Sequence, residues 1–223
     1  RLNAHAQYTN VLCKGDVMEF LPLEINNEKV YAGFWKRFGA GIVDMLVFIP
    51  FMAIVHFTQG LSLASAIITV IFSSLLYSMY AVFFHYKFGA TIGKMAVGIQ
   101  ITFPDGSKIG LKQALLRSSI DIGFAILMVA AQVIAITNAD PETYLTASWM
   151  ERAEYIMPLF PAWYGMVNIA NQLWYWSELI VLLFNKRKRA LHDFIAGTVV
   201  IKKEYTEQVV ALDSGAEAPS PVS

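Results

Sequence analysis

Three carboxylates stand inside apolar stretches of this chain: Asp44, Asp121 and Glu178. Charge is costly in hydrocarbon, so acids retained there point to ion binding, proton exchange or buried ion pairing. Two arginines accompany them. Arg37 precedes Asp44 by seven residues, or two helical turns, which puts both on one face with the acid about 10 Å deeper. Arg117 precedes Asp121 by four, the spacing at which side chains on one helix face can pair. Glu178 closes a polar stripe of Asn168, Asn171, Gln172 and Tyr175 at three- and four-residue spacing. Counted from the basic ends of their segments, the acids lie about six or seven residues deep, roughly 9–10 Å at the helical rise. The spacing therefore predicts one layer of Asp44, Asp121 and Glu178 converging inside a helix bundle.

Two chemistries fit such a layer. In the first, Arg37, Asp44, Arg117, Asp121, Glu178 and Asn171 form a cation or proton site. Burial favours the protonated acid and a nearby guanidinium favours the ionised one, so a mixed cluster can exchange protons near neutral pH. In the second, the same groups are a static ion-pair network holding helices in register. Charge counting keeps the first reading open, because two arginines cannot neutralise three ionised carboxylates.

Composition says what carries this layer. The 223 residues are 56% hydrophobic and 15% charged, against about 25% charged in ordinary soluble domains, and the mean hydropathy is +0.49. Zero formal net charge gives no case for nucleic acid. Cys13 is the only cysteine, so the chain forms no internal disulfide and no thiolate metal cluster. Four stretches meet the requirement of about 20 apolar residues for a membrane span: roughly 34–56, 66–86, 115–137 and 162–184. Pro50 is expected to kink the first.

Basic residues set the orientation. Lys36 and Arg37 flank span one, Lys87, Lys94, Lys108, Lys112 and Arg117 crowd the middle connection, and Lys186 to Arg189 follow span four. The other two connections carry only Arg152. The positive-inside rule then places both termini and the middle connection in the cytoplasm of a multi-pass protein of the inner membrane.

The parts outside the bilayer also have patterns. Val97 to Phe103 alternates like a strand, Pro104-Asp105-Gly106 reads as a turn, and Lys108 to Leu111 can return. Gly197 to Lys203 and Val17 to Leu23 offer further strands, giving a small cytoplasmic β-element. Asp140 is a plausible N-cap with Pro141 following, and Leu145, Trp149, Ala153 and Ile156 recur at helical spacing. This is the pattern of an amphipathic helix on the outer membrane surface. The expected organisation is a cytoplasmic leader (1–33), a four-helix membrane domain (34–203) and a disordered cytoplasmic tail (204–223). With no signal-like segment at its start, the leader reads as soluble.

Other motifs carry less. GATIGK (Gly89 to Lys94) is one residue short of a phosphate loop and lacks its Ser or Thr, which argues against a nucleotide site. His56 and His85 stand at opposite ends of their spans and read as interface residues rather than metal ligands. Gly39 and Gly41 are expected to ease close helix packing. No nucleophile–base pair, metal set or cofactor motif is visible, so the chain is not read as an enzyme.

AGFWKRFGAGIVDMLVF, FGATIGKMAVGIQI with DGSKIGLKQALLRSSID, and NKRKRALHDFIAGTVVIKK together resemble the RDD family of membrane proteins, named for an arginine and two aspartates. The resemblance spans about Tyr31 to Lys203. It implies that Arg37 and Asp44 are family positions, that Asp193 or Asp121 is the second aspartate, and that His192, Gly197 and Thr198 belong to a C-terminal signature. Such proteins are commonly described as transporters. Four helices in a lipid bilayer leave little room for a transport path, so the expected partners are the bilayer and a second copy in a homodimer or a larger membrane protein. The sequence thus leaves two functions: movement or binding of a cation or proton, or a non-catalytic accessory subunit of a membrane complex.

Overall fold

The computed structural model describes residues 20–25 and 27–206. Cys13, the first three residues of the leader strand and the tail beyond Thr206 lie outside the described residues.

Helix α1 (Phe34–Gln59) runs through Pro50 without a break. A three-residue turn leads to α2 (Leu63–Phe88), where Ser62 and Ser65 exchange side-chain-to-backbone hydrogen bonds of 2.9 and 3.0 Å. Together they satisfy two amides that the first helical turn leaves free. Gly89 ends α2 in the left-handed region, φ +66°. A side chain there would also meet Gln100 and the Ile101 carbonyl, because Ile101 N–H donates to Gly89 O at 2.7 Å. Glycine answers both demands.

A five-residue helix, α3 (Ile92–Ala96), was not anticipated; Thr91 caps it and it packs against α1. Strand β3 (Ile99–Thr102) follows, then a tight turn in which Phe103 N–H donates to Ser107 O at 2.9 Å. Next comes α4 (Leu111–Thr137), which packs most extensively on α2. The expected single surface helix is two short ones, α5 (Pro141–Thr146) and α6 (Trp149–Ile156), because Ser148 starts a new cap. Asp140 does cap α5, accepting from Thr143 N–H at 2.9 Å. Helix α7 (Tyr164–Phe184), α8 (Leu191–Ile195) and β4 (Val199–Lys202) follow, and the expected tail begins as a helical turn over 203–206 with Tyr205 and Thr206 buried, because Tyr205 packs into the core beside β4.

Three helices, α1, α2 and α4, are long and apolar enough to cross a membrane. Helix α7 coincides with the fourth expected span but does not join them. Its 21 residues include Asn168, Asn171, Gln172 and Glu178, which dilute its apolar character.

The tightest core is not between the long helices but under one end of them. Strands β3 and β4 pair antiparallel, Ile99 opposite Lys202 and Thr102 opposite Val199. Residues just before α1 flank β4, with Ala32 N–H donating to Val200 O and Lys202 N–H to Val30 O. Alternation along β4 then sends side chains to opposite faces. Val200 joins Ile99, Ile101 and Ala40 on the helix side, while Val199 and Ile201 join Val30, Tyr31 and Ile25 on the other. The leader contributes a hairpin here, β1 (Glu24–Ile25) with β2 (Glu28–Lys29), rather than the strand expected to end at Leu23.

Candidate functional site

Asp193 is the most enclosed charge in the described residues, with 0% exposure. It sits in the first turn of α8 and receives both arginines. Arg37 Nη1 donates to Oδ2 at 2.8 Å, and Arg117 Nη1 donates to Oδ1. The same Arg117 nitrogen reaches Thr198 Oγ1 at 2.6 Å, and Ala190 N–H donates to Asp193 Oδ2 at 2.9 Å. Burial alone would push the Asp193 carboxyl up, but Arg117 and Arg37 beside it hold it well below the usual carboxylate range.

The basic run before α8 does structural work as well. Lys188 adopts φ +51°, and its carbonyl accepts from Arg37 Nη2. Arg189 donates to the Thr198 and Asp193 carbonyls, both at 3.0 Å, and lies over the Phe194 ring. Arg117 therefore does not pair with Asp121 as helical spacing predicts, and Arg37 does not reach the acid on its own face. Arg37 turns away from Asp44 and Arg117 from Asp121, because a counter-charge held by three hydrogen bonds at the end of the bundle outcompetes a neighbour on the same helix.

Asp44 has a different task. It accepts from Tyr80 Oη, Thr91 Oγ1 and Gly93 N–H, each at 2.7 Å, and so ties α1 to α2 and α3. Tyr80 Oη in turn accepts from Ile92 N–H at 3.0 Å. The close-packing glycine is Gly93, not Gly39 or Gly41. A Cβ on Gly93 would collide with the Ala40 carbonyl, whereas Gly41 has nothing within 4 Å and Gly39 only the Val97 side chain at 3.8 Å.

The expected three-acid layer is thus divided. Glu178 accepts from His192 N–H at 2.8 Å and pairs with His192 Nδ1. His192 Nε2 lies 3.6 Å from Asp193, so Glu178 joins the Asp193 node through this ring. Burial, then Arg117, lowers the His192 pKa against the pull of Asp193 and Glu178. Asp121 accepts from Trp174 Nε1 at 3.0 Å. Asp44 and Asp121 do share one space, a cavity of about 390 Å³ between α2, α4 and α7 whose walls also include His85, Lys94, Arg117, Asn171 and His192. A larger cavity of about 750 Å³ adjoins it, extending along α1, α2 and α4 toward His56, Gln59 and Gln132. Asp44, Ser74, Tyr77, Ala125 and Met128 line both.

Sequence reasoning missed the pair of Lys94 and His85. His85 is buried rather than at an interface, and its Nε2 lies 2.8 Å from Lys94 Nζ across the Gly89 turn. Burial, reinforced by Arg117 and Arg37, lowers the Lys94 pKa to about 7. A folded pKa below the unfolded value of about 10.4 means the native state binds fewer protons in between, so stability rises with pH over that window. The melting temperature of the wild type is expected to climb from pH 7 to 10. Lys94→Met should flatten the climb, and a slope equal in both proteins would remove Lys94 as its source. No group of three or more His, Cys, Asp or Glu placed to hold a metal occurs among the described residues.

Long apolar helices closed at one end by a small sheet and a buried ionic node define a helical membrane protein. The chain belongs to the RDD family, whose model matches residues 31–197. It is 28% identical over 174 residues to the uncharacterized protein YckC of Bacillus subtilis (strain 168), a match covering 76% of this chain and 83% of that protein. No solved structure matches.

Proposed function

We propose that this chain is a four-span protein of the inner membrane, with α7 as the fourth span, the sheet end and both termini in the cytoplasm, and α5 and α6 on the outer surface. Its inner cavity binds and moves a cation or proton. The observation that carries this reading is an imbalance inside the cavity. Asp44 is held by three donors, and Arg117 is neutralised by Asp193. Among the described residues Asp121 receives one hydrogen bond, and the buried Oδ1 of Asn171, which lines the same cavity, receives none. A carboxylate and an amide oxygen with spare lone pairs are the ligands a hard cation or proton seeks. The larger adjoining cavity supplies a route toward the opposite end of the bundle. The protein acts without covalent chemistry, needs no cofactor and has no nucleic-acid partner.

Proton flux driven by a cation gradient in proteoliposomes tests this. Wild type should carry flux, Asp121→Asn should bring it to background, and Asp105→Asn in the distant turn should leave it unchanged. Full flux in Asp121→Asn would sink the assignment. An absence of flux from folded wild type would favour the accessory-subunit reading, for which the exposed Trp149, Met150 and Met157 offer a docking surface.

A further inference from the structure

Polar bookkeeping among the residues lining the 390 Å³ cavity leaves two kinds of remainder. One is cationic. While Lys94 is an ammonium it can only donate, so His85 Nε2 at 2.8 Å accepts and the imidazole proton then sits on Nδ1. That Nδ1 is buried and has no partner among the described residues, and the same is true of Arg117 Nε. A buried donor left without an acceptor is costly, so two on residues lining one cavity call for one. The other remainder is of acceptor oxygens: Asp121, with one hydrogen bond among the described residues, and the orphaned Asn171 Oδ1.

An inorganic cation would satisfy only the second wall and an inorganic anion only the first. We infer that the cavity takes a small zwitterion, its carboxylate on the His85, Lys94 and Arg117 wall and its ammonium on the Asp121 and Asn171 wall. This rests on the proposal that the cavity is the working site, and it names the class of solute. Dimensions agree. Arg117 and Asp121 are one turn apart on α4, a rise of about 6 Å, which a carboxylate and an ammonium joined by two or three carbons can bridge. The volume falls within the range of about 300–1,000 Å³ usual for small-molecule sites. Each end of the solute would replace water by charged partners, and neither end would leave an unpaired ion behind.

Isothermal titration of the full chain in detergent, with glycine, β-alanine and γ-aminobutyrate as probes, tests the inference. Acetate, methylammonium and sodium chloride serve as half-ligands. At least one zwitterion should bind, with acetate and methylammonium each weaker by about tenfold or more, the loss of one charged hydrogen-bonded end. Lys94→Met and Asp121→Asn should each weaken zwitterion binding by a similar factor while eluting and melting as folded protein. Asn171→Leu, remote from the ion-pair node, gives the same readout if either charge variant fails to assemble. Binding of a half-ligand alone, or of no probe by folded wild type, overturns the inference. Cation-driven flux without zwitterion binding would leave the proposed function standing and remove the zwitterion. Zwitterion binding without such flux would do the reverse.

Discussion

Asp193→Asn is expected to destabilise the protein by about 3–5 kcal/mol, the cost of removing one partner from a buried ion pair. The substitution keeps size and one acceptor oxygen, so it isolates charge. Arg37 and Arg117 would then face each other's field in a place where Arg117 is 3% exposed, with no counter-ion between them. The loss should appear as a lower melting temperature and less monodisperse protein after extraction. A second substitution should recover part of it, because Arg117→Met in the Asp193→Asn background removes one of the stranded charges. This non-additivity distinguishes an ionic node from mere shape. The pH sign follows from the depressed carboxyl pKa of Asp193. Its contribution is complete above the unfolded value of about 3.9 and is lost as pH falls through the lower folded value. The stability the node supplies should therefore be level from pH 8 to about pH 5. A variant that melts with wild type would show that Asp193 does not hold the bundle end together.

What the sequence reveals about this node depends on the range of the interaction. Apolar length located α1, α2 and α4, alternation with turn residues located β3, and a β-branched run located β4, because these signals lie within one segment. Helical spacing gave Arg37 to Asp44 and Arg117 to Asp121, but spacing can propose only partners on the same helix. The counter-charge actually used arrives from 156 residues away for Arg37 and 76 for Arg117. Nothing local announces that distance. The family resemblance did single out His192, Asp193 and Thr198, and those residues meet at the node. The basic run before α8 concealed its role for a related reason. Positive charge near a span already has an explanation in membrane orientation, so the backbone bonds of Arg189 and the left-handed turn at Lys188 had no separate trace. Lys94 and His85 were hidden by the unforeseen α3, since only a chain reversing at Gly89 brings residues nine apart into contact.

Gly93→Ala should be the most damaging single-methyl change in the protein, costing at least about 3 kcal/mol. Gly93 has no left-handed φ to protect, so the reason is space alone. Its added Cβ would run into the backbone carbonyl of Ala40 and lie 2.8 Å from the Asp44 carboxyl carbon. Backbone cannot swing aside as a flexible side chain can, so α3 must lift from α1. Lifting it stretches the Gly93 and Thr91 hydrogen bonds to Asp44, each a bond to a charged acceptor. Two other glycines make the test discriminating. Gly41→Ala has open space in a helix and should gain about 0.5–1 kcal/mol from helix propensity. Gly98→Ala also has space but sits at φ +67°, and should lose about 1–2 kcal/mol from left-handed strain. Thermal melts of the three variants should therefore rank Gly41→Ala above wild type, Gly98→Ala below it and Gly93→Ala lowest. A Gly93→Ala melt at or above that of Gly98→Ala would mean that α3 can leave α1 cheaply. Asp44 would then be a carboxylate free to exchange its donors for an ion, and the division of labour between Asp44 and Asp121 would have to be redrawn.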